Sequence, residues 1–273
     1  MLLINDNVAA LGAENNLDAT DTAMQNVVGQ LSSGLQINTA ADNPAGYSIA
    51  QSLQSEINGY GAAESNAQTA VSVLQTAQGA MNQQEAILQQ ANTIATQAAN
   101  TIDDNGTASA ADTQEFTSLV AQLDQIAQST TYAGVSLLNT GSTLTFQVGP
   151  SVTTADSVSV ALANTAATAL LGAATLSLNS VASATAAMTA VQSAINTLAS
   201  AAAALGSSQN QIQALSNNVT VAQQNLTSAH ADLVDVNVAA ATSQFTSLQI
   251  LEQSGISVLS QAQQLPQLAL KLL

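Results

Sequence analysis

The feature that most constrains the fold of this chain is a recurrence of apolar residues at steps of three and four, which predicts amphipathic helices. The longest run covers residues 44–102 and falls close to a 3.5-residue repeat, as in a coiled coil. Its repeating positions are Leu53, Ile57, Tyr60, Ala67, Val71, Leu74, Met81, Leu88, Ala95 and Ile102. Pro44 suits the first turn of this helix, and the Asp-Asp-Asn-Gly sequence at 103–106 predicts its end. At about 1.5 Å per residue, one continuous helix here would be on the order of 90 Å long, too long for a small globule to enclose.

Helical spacing also extends to both ends of the chain. Four further segments with this spacing cover residues 4–35, 109–129, 182–233 and 236–272. The last of them is broken only at Gly255 and Pro266. A helix with a narrow apolar stripe has to bury that stripe, and a second helix of the same kind does so best. We therefore expect the two halves of the chain to pair and to bring its ends together.

The middle of the chain has a different period. Residues 143–148 and 157–160 alternate polar and apolar side chains and are separated by Gly149, Pro150 and a Ser/Thr-rich link. Alternation interrupted by such a break indicates a β-hairpin. The predicted fold class is mainly α, with long antiparallel coiled-coil helices from both chain ends and a small central β-hairpin region.

Charge excludes several classes of partner. Charged residues make up 7% of the chain, and Lys271 is the single basic residue against 17 acidic ones, for a formal net charge of −16. With a single Lys and no Arg the chain can displace hardly any counterions from phosphates, so nucleic acid is excluded, and an anionic membrane surface is disfavoured. No apolar run approaches the roughly 20 residues that span a bilayer, which predicts no membrane insertion.

The shortage of basic residues has two possible explanations. At an external pH of about 2 to 3 most carboxylates would be neutral, and the chain would be almost uncharged, so copies could associate without self-repulsion. This predicts an acidophilic host. Alternatively, the shortage protects an exposed protein from trypsin-like proteases.

Candidate catalytic and metal-binding residues are few. His230 is the single histidine and there is no cysteine, which argues against a zinc site, a Ser-His-Asp triad or a thiolate nucleophile. Asp103 and Asp104, next to Asn105-Gly106, are expected to form an acidic turn that stops the helix. They lack the spaced ligands and terminal Glu of a calcium loop, which argues against a calcium site. We expect no catalytic residue, no metal and no cofactor, and predict that the chain is not an enzyme. The first residues also lack the basic and apolar regions of a secretory signal.

Two long motifs carry a resemblance to a known family. Residues 31–50, LSSGLQINTAADNPAGYSIA, closely resemble the N-terminal signature of bacterial flagellin, and residues 250–268, ILEQSGISVLSQAQQLPQL, resemble its C-terminal signature. Shorter stretches similar to the family occur in the expected order at 67–80, 98–100, 132–138 and 146–149. The resemblance therefore covers nearly the whole chain and identifies a short flagellin without large outer domains.

The resemblance implies a structural subunit that polymerises into the extracellular flagellar filament for swimming. The implied divisions are 1–40 and 234–273 as the two halves of an inner-tube helical domain, 41–180 as the N-terminal part of a rod domain with its hairpin region at about 132–165, and 181–233 as the C-terminal helix of the rod. Implied partners are copies of the chain, a filament cap, hook-filament junction proteins and a flagellar export chaperone. Export without a cleaved signal would use the flagellar type III apparatus.

Two sets of residues are expected to contact other molecules: one in the polymer and one on the innate receptor. The expected polymerisation interface consists of apolar residues in the terminal segments: Ile4, Val8, Leu11, Leu17, Met24, Val28, Leu31, Leu35, Phe245, Leu248, Leu251, Ile256, Leu259 and Leu265. The region resembling the one that the vertebrate innate receptor reads includes Leu88, Gln90, Asn92 and Glu115. Gln90 and Asn92 stand where the family usually has Arg, as Gln36 also does, and Ala41 stands where the family often has Lys. Since an amide cannot reproduce a guanidinium fork, weakened receptor recognition is expected.

Three alternatives stay open on the sequence. A hook-filament junction protein would share the terminal signatures, although residues 132–138 favour flagellin. Some flagellins carry a zinc peptidase insert, which one histidine and no long insertion argue against. A free coiled-coil secretion effector would be distinguished by failure to polymerise.

Overall fold

The helical periodicity is realised as six helices in the computed structural model, which describes residues 7–100, 107–151, 153–172 and 177–271. They are α1 (Val8–Ser33), α2 (Pro44–Ala98), α3 (Thr107–Ser129), α4 (Ala167–Leu171), α5 (Val181–Val234) and α6 (Val238–Lys271). The strands are β1 (Thr131–Tyr132), β2 (Val135–Ser136), β3 (Thr143–Gln147) and β4 (Ser157–Ala161). The predicted mainly α class with a small central antiparallel hairpin is confirmed.

The chain divides into two compact units. The first, the terminal unit, comprises Met1–Ile57 and Gln224–Leu273, and the second, the central unit, comprises Asn58–Gln223. The long helices α2 and α5 each contribute residues to both units.

In the terminal unit, α1 and α6 pack as an antiparallel pair. Asn7 caps α1 by accepting from the Ala10 N–H, and its Nδ2 donates to the Ala262 carbonyl near the far end of α6, at 2.8 Å. At the other end of α1, Gly34 takes a left-handed φ of 76°, and its N–H donates to the Gln30 carbonyl. Leu17, further along α1, lies against Gly255, which precedes Ala262 in α6, so contacts that advance along α1 move backwards along α6, as in an antiparallel pair.

Backbone hydrogen bonds join the two places in this unit where one helix ends and the next begins. The segment after α1 and the turn between α5 and α6 form an antiparallel bridge at Leu35 and Asp235. The Gln36 N–H donates to the Val234 carbonyl at 2.6 Å, and the Val236 N–H donates to the Gly34 carbonyl at 2.9 Å. These bonds satisfy backbone groups that a helix end otherwise leaves unpaired.

The central unit holds one continuous hydrophobic core. It is built from α2, α3, α4 and α5 together with the hairpin β3–β4, and its largest fully buried side chains include Phe116, Leu74, Met81, Leu88 and Leu198. In the hairpin, Phe146 pairs with Val158 and Leu144 with Val160, so alternate residues face the core. The smaller hairpin β1–β2 turns through Ala133 and Gly134, both at positive φ.

Close contacts connect the hairpin loop to α2. The Asn66 Nδ2 donates to the Gln147 carbonyl at 3.1 Å. A Cβ at Gly59 would lie 2.9 Å from the Pro150 Cβ, so glycine allows α2 and the loop to approach. At Gly149 the Asp156 carboxylate already occupies the place of a Cβ.

Two helices, α6 and α2, differ from the sequence expectation. The expected breaks at Gly255 and Pro266 do not occur, since α6 runs without interruption to Lys271. At Gly255 a Cβ would lie 3.3 Å from Leu17 Cδ1, so this position packs closely against α1, and that packing outweighs glycine's low helix propensity. The longest helix ends at Ala98 rather than at residue 102, and the predicted stop at 103–106, including Asp103 and Asp104, lies outside the described residues.

Candidate functional site: the terminal helix pair

The terminal helix pair buries very little of its own apolar surface. On α1 only Val27 is fully buried, at 3% exposure, and on the described part of α6 only Ala241 and Ala262 are. A groove of about 530 Å³ runs between the two helices and is lined by residues such as Ala13, Leu17, Leu248 and Val258. Two helices that bury so little against each other leave much of their apolar surface available to other molecules.

The predicted interface residues separate into two sets in the structure. One set is half-buried: Leu17, Met24, Leu31, Leu35, Phe245, Leu248 and Leu259. The other set is exposed: Val8, Leu11, Val28, Leu251 and Ile256. Ile4 lies outside the described residues, as does the side chain of Leu265. The single stripe expected on each terminal segment is therefore wider than one partner helix can cover.

Three further exposed apolar residues on α6 were not predicted as site residues. Val238, Ile250 and Val258 are 58%, 63% and 51% exposed. The sequence assigned one narrow stripe to each helix, whereas α6 carries apolar residues around more of its circumference. The adjacent pair Ile250-Leu251 is the signal that could have revealed this, because neighbouring helix residues point about 100° apart. We call Val8, Leu11, Val28, Val238, Ile250, Leu251, Ile256 and Val258 the outer apolar set.

The loop between α1 and α2 is held by one carboxylate. Asp42 Oδ2 accepts from the backbone N–H of Thr39 at 2.8 Å, from that of Asn38 at 3.0 Å, and from the Thr39 hydroxyl at 3.2 Å. The N–H groups of Thr39 and Asn38 lower the pKa of the Asp42 carboxyl, since they favour its charged form. Next to it, Asn43 Oδ1 accepts from the Gly46 N–H and caps α2.

Uncharged amide and hydroxyl groups supply the side-chain hydrogen-bond donors on the surfaces of the helices. Glutamine amides donate to a carboxylate one turn earlier in three pairs: Gln25 to Asp21, Gln89 to Glu85 and Gln128 to Asp124. These are the spacings at which other helices place Lys or Arg against an acid. Many exposed Thr and Ser hydroxyls donate to the carbonyl four residues back in their own helix, as Thr20 and Thr242 do. The helix surfaces are thus hydrogen-bonded without cations.

The remaining candidate residues belong to helices other than α1 and α6. In the central unit Leu88 is fully buried in the core, Gln90 and Glu115 are exposed, and Asn92 is half-buried. His230 is half-buried on α5. Among the described residues no group of three His, Cys, Asp or Glu side chains is placed to hold a metal ion. Within the same part of the chain, no helix combines the length and hydropathy that crossing a membrane requires.

Comparison with known proteins agrees with this architecture. The bacterial flagellin N-terminal helical region matches residues 4–143, and the bacterial flagellin C-terminal helical region matches residues 188–273. The flagellin of Bacillus subtilis is 33% identical over 301 aligned residues, covering 99% of each chain. The flagellar filament 33 kDa core protein of Treponema phagedenis is 30% identical over 293 residues, covering all of both chains.

A solved structure gives the same assignment. The crystal structure of Bacillus cereus flagellin superposes with a TM-score of 0.51 at 28% identity, covering 61% of this chain and 94% of that one. The two family regions fall on the helices from both chain ends, where the outer apolar set lies. The chain therefore belongs to the bacterial flagellin family.

Proposed function

We propose that this chain is a structural subunit that polymerises into the bacterial flagellar filament, and that the outer apolar set of α1 and α6 is a contact between copies. The observation that carries this proposal is the exposure of these large apolar residues on a helix pair with few charges. Burying them against further copies would recover about 25 cal/mol per Å² of apolar surface.

The half-buried residues would have a different role from the exposed ones. Leu17, Met24 and Phe245 are half-buried within the subunit and would keep α1 and α6 together. Val8, Ile250 and the other exposed residues would then be presented on a preformed surface. This division predicts that substitutions in the first group lower subunit stability, whereas those in the second group affect polymerisation alone.

The filament role is preferred over the hook-filament junction role because the matched relatives are named as flagellins or as a filament core protein. Deleting the gene in its own bacterium distinguishes them. A filament subunit leaves cells with hooks and no filaments, and no other abundant subunit in the medium. A junction protein leaves a separate filament subunit unpolymerised in the culture, and that outcome would overturn the proposal.

The location and partners follow from this role. We propose that the chain is exported by the flagellar type III apparatus and works outside the cell, that a filament cap and junction proteins bound its polymer, and that an export chaperone binds its C-terminal region. Flagellins are structural proteins, and we propose no enzymatic activity for this chain. Copurification from cytoplasm and from sheared fibres, followed by mass spectrometry, tests these partners separately.

We further propose that the polymer is adapted to acid. Support comes from the −16 formal charge with one basic residue, and from glutamine amides at positions where acids would otherwise pair with cations. Polymerisation assayed from about pH 2 to pH 7 should be most favourable in acid, where carboxylates are neutral. Filaments that dissolve in acid and form best near neutrality would leave protection from proteases as the explanation.

Weakened innate-receptor recognition is the remaining proposal about residues. By the family resemblance, Gln90 and Asn92 on α2 stand where Arg is usual; Leu88 is buried in the core, and Glu115 is exposed on α3. A receptor reporter cell exposed to purified chain should respond more weakly than to an arginine-containing flagellin. Substituting Gln90→Arg and Asn92→Arg together should raise the response, and an equal response before and after would contradict the assignment.

A further inference from the structure

One polar residue interrupts the buried seam of α2 in the central unit. The seam alternates steps of four and three along two rows of positions. The first row is Tyr60, Ala67, Leu74, Met81, Leu88 and Ala95, and the second row is Ala63, Ala70, Ala77, Gln84, Ala91 and Ala98. Every member of the second row is buried, and every member except Gln84 is alanine. Gln84 itself has 0% exposure.

The amide of Gln84 connects three segments of the chain. Its Nε2 donates to the Leu123 carbonyl in α3 at 3.2 Å and to the Thr165 carbonyl, just before α4, also at 3.2 Å. Thr165 is fully buried too, and its N–H donates to the Leu138 carbonyl after β2 at 2.7 Å. Both amide hydrogens are therefore used, which fixes which end of the amide faces the two carbonyls.

Burying Gln84 lowers the stability of the fold unless its hydrogen bonds provide something that an apolar side chain cannot. Among the described residues no donor reaches Gln84 Oε1, so a buried acceptor is left unpaired. An unpaired buried polar atom lowers stability, and an apolar residue of similar size would avoid that loss. A single buried polar residue in a helical seam is, however, the best-known way to specify one register.

The rest of the seam specifies its register poorly. If α2 moved by one heptad, alanine would replace alanine in the second row except that Gln84 would exchange places with a neighbouring alanine, and in the middle of the first row Leu74, Met81 and Leu88 would replace one another. Apolar packing changes little in such a shift, because these residues are similar in size or identical. Within the two rows, the hydrogen bonds of Gln84 distinguish the two positions, and outside the rows the bond from Asn66 to the Gln147 carbonyl acts in the same direction against the hairpin loop. We infer that Gln84 is a positioning residue that fixes the register of α2 against α3 and the segment before α4.

Spin-label distances on the full-length chain test this inference. The chain has no cysteine, so labels can be placed at the exposed positions Gln75 and Gln125 without side reactions. The parent should give one distance. Gln84→Met keeps the length of the side chain and removes both donors, and should add a second population displaced by roughly 10 Å, which is seven residues at about 1.5 Å each. The control Gln83→Met makes the same change at an exposed position and should keep one distance.

A second variant covers the case in which Gln84→Met does not fold. Gln84→Glu places a carboxyl against the same two carbonyls, where burial favours its protonated form and protonation supplies one donor. The single distance should therefore be restored as the pH is lowered from about 7 to about 4, while the parent shows no change. A single distance for Gln84→Met, or a pH-independent distribution for Gln84→Glu, would overturn the inference. The measurement is made below the concentration at which the chain polymerises at each pH, so its outcome is independent of filament assembly.

Discussion

Truncating Ile250 to alanine should weaken polymerisation without weakening the subunit. Ile250 lies on α6 within the outer apolar set and is 63% exposed. Alanine has a higher helix propensity than isoleucine, and little of the side chain is buried inside the subunit, so the free energy of unfolding should hardly change. The effect should appear only when a second copy covers the side chain.

Its magnitude can be estimated from the exposed fraction. Complete burial of an isoleucine side chain is worth about 1.5 to 3 kcal/mol. The 63% that remains exposed in the subunit would then contribute about 1 to 2 kcal/mol when it is buried in the polymer. Since about 1.4 kcal/mol corresponds to a tenfold change in an equilibrium constant, Ile250→Ala should raise the critical concentration for polymerisation about 5- to 30-fold.

Sedimentation of polymer at a series of subunit concentrations measures this threshold, and circular dichroism checks the fold of each variant. Thr242→Ala is the matched control, because it also removes a branched side chain from the exposed surface of α6. The Thr242 hydroxyl already donates to the Val238 carbonyl at 2.9 Å, so it offers little to a neighbour. The control should stay within about twofold of the parent.

Two results would refute the reasoning. If Ile250→Ala polymerises at the same concentration as the parent, Ile250 is not at a contact between copies. If Ile250→Ala lowers the free energy of unfolding by as much as it weakens the free energy of polymerisation, the residue stabilises the subunit instead. Repeating the experiment with Ile256→Ala, 53% exposed on the same helix, separates an error about one residue from an error about the surface.

The other predictions concern loops, glycines and proteolysis. Asp42→Asn should lower the stability of the chain near neutral pH and match the parent in strong acid. The pKa of Asp42 is lowered in the folded chain, so its carboxylate stabilises the fold above the ordinary pKa of 3.8 and loses that contribution as the pH falls. Urea unfolding at about pH 7 and at about pH 2 measures both stabilities. A difference that persists at pH 2 would count against this role. Gly79→Ala, with open space at the new Cβ, should stabilise the chain by about 0.5 to 1 kcal/mol, whereas at Gly59 the Pro150 ring should cancel or reverse that gain, so equal melting temperatures for the two variants would contradict the packing of the hairpin loop. Trypsin should cut the urea-unfolded chain only after Lys271, and mass spectrometry showing any internal tryptic fragment would contradict this.

The helices and the central hairpin could be predicted because their signals are local. Leu74, Met81 and Leu88 recur at seven-residue steps and are buried as the coiled-coil pattern requires. Phe146 and Val158 alternate with polar neighbours and pair across the hairpin. Each of these signals depends on residues close together in the sequence.

What could not be predicted depends on contacts between distant residues. Gln84 has the polarity of a surface residue, and only the carbonyls of Leu123 and Thr165 make its burial possible. Gly255 predicts a break by its own propensity, but its close packing on Leu17 keeps α6 continuous. The division of the terminal stripe into half-buried and exposed residues likewise depends on how α1 and α6 face each other.

The neutral hydrogen bonding of the helix surfaces determines the sign of the response to salt. With one lysine against 17 acidic residues, the Coulomb interaction between two copies at neutral pH consists almost wholly of repulsion. Dissolved ions can weaken that repulsion, and hardly any attraction exists for them to weaken as well. Added salt should therefore strengthen the association between copies, whereas it weakens a polymer that is held together by pairs of opposite charges.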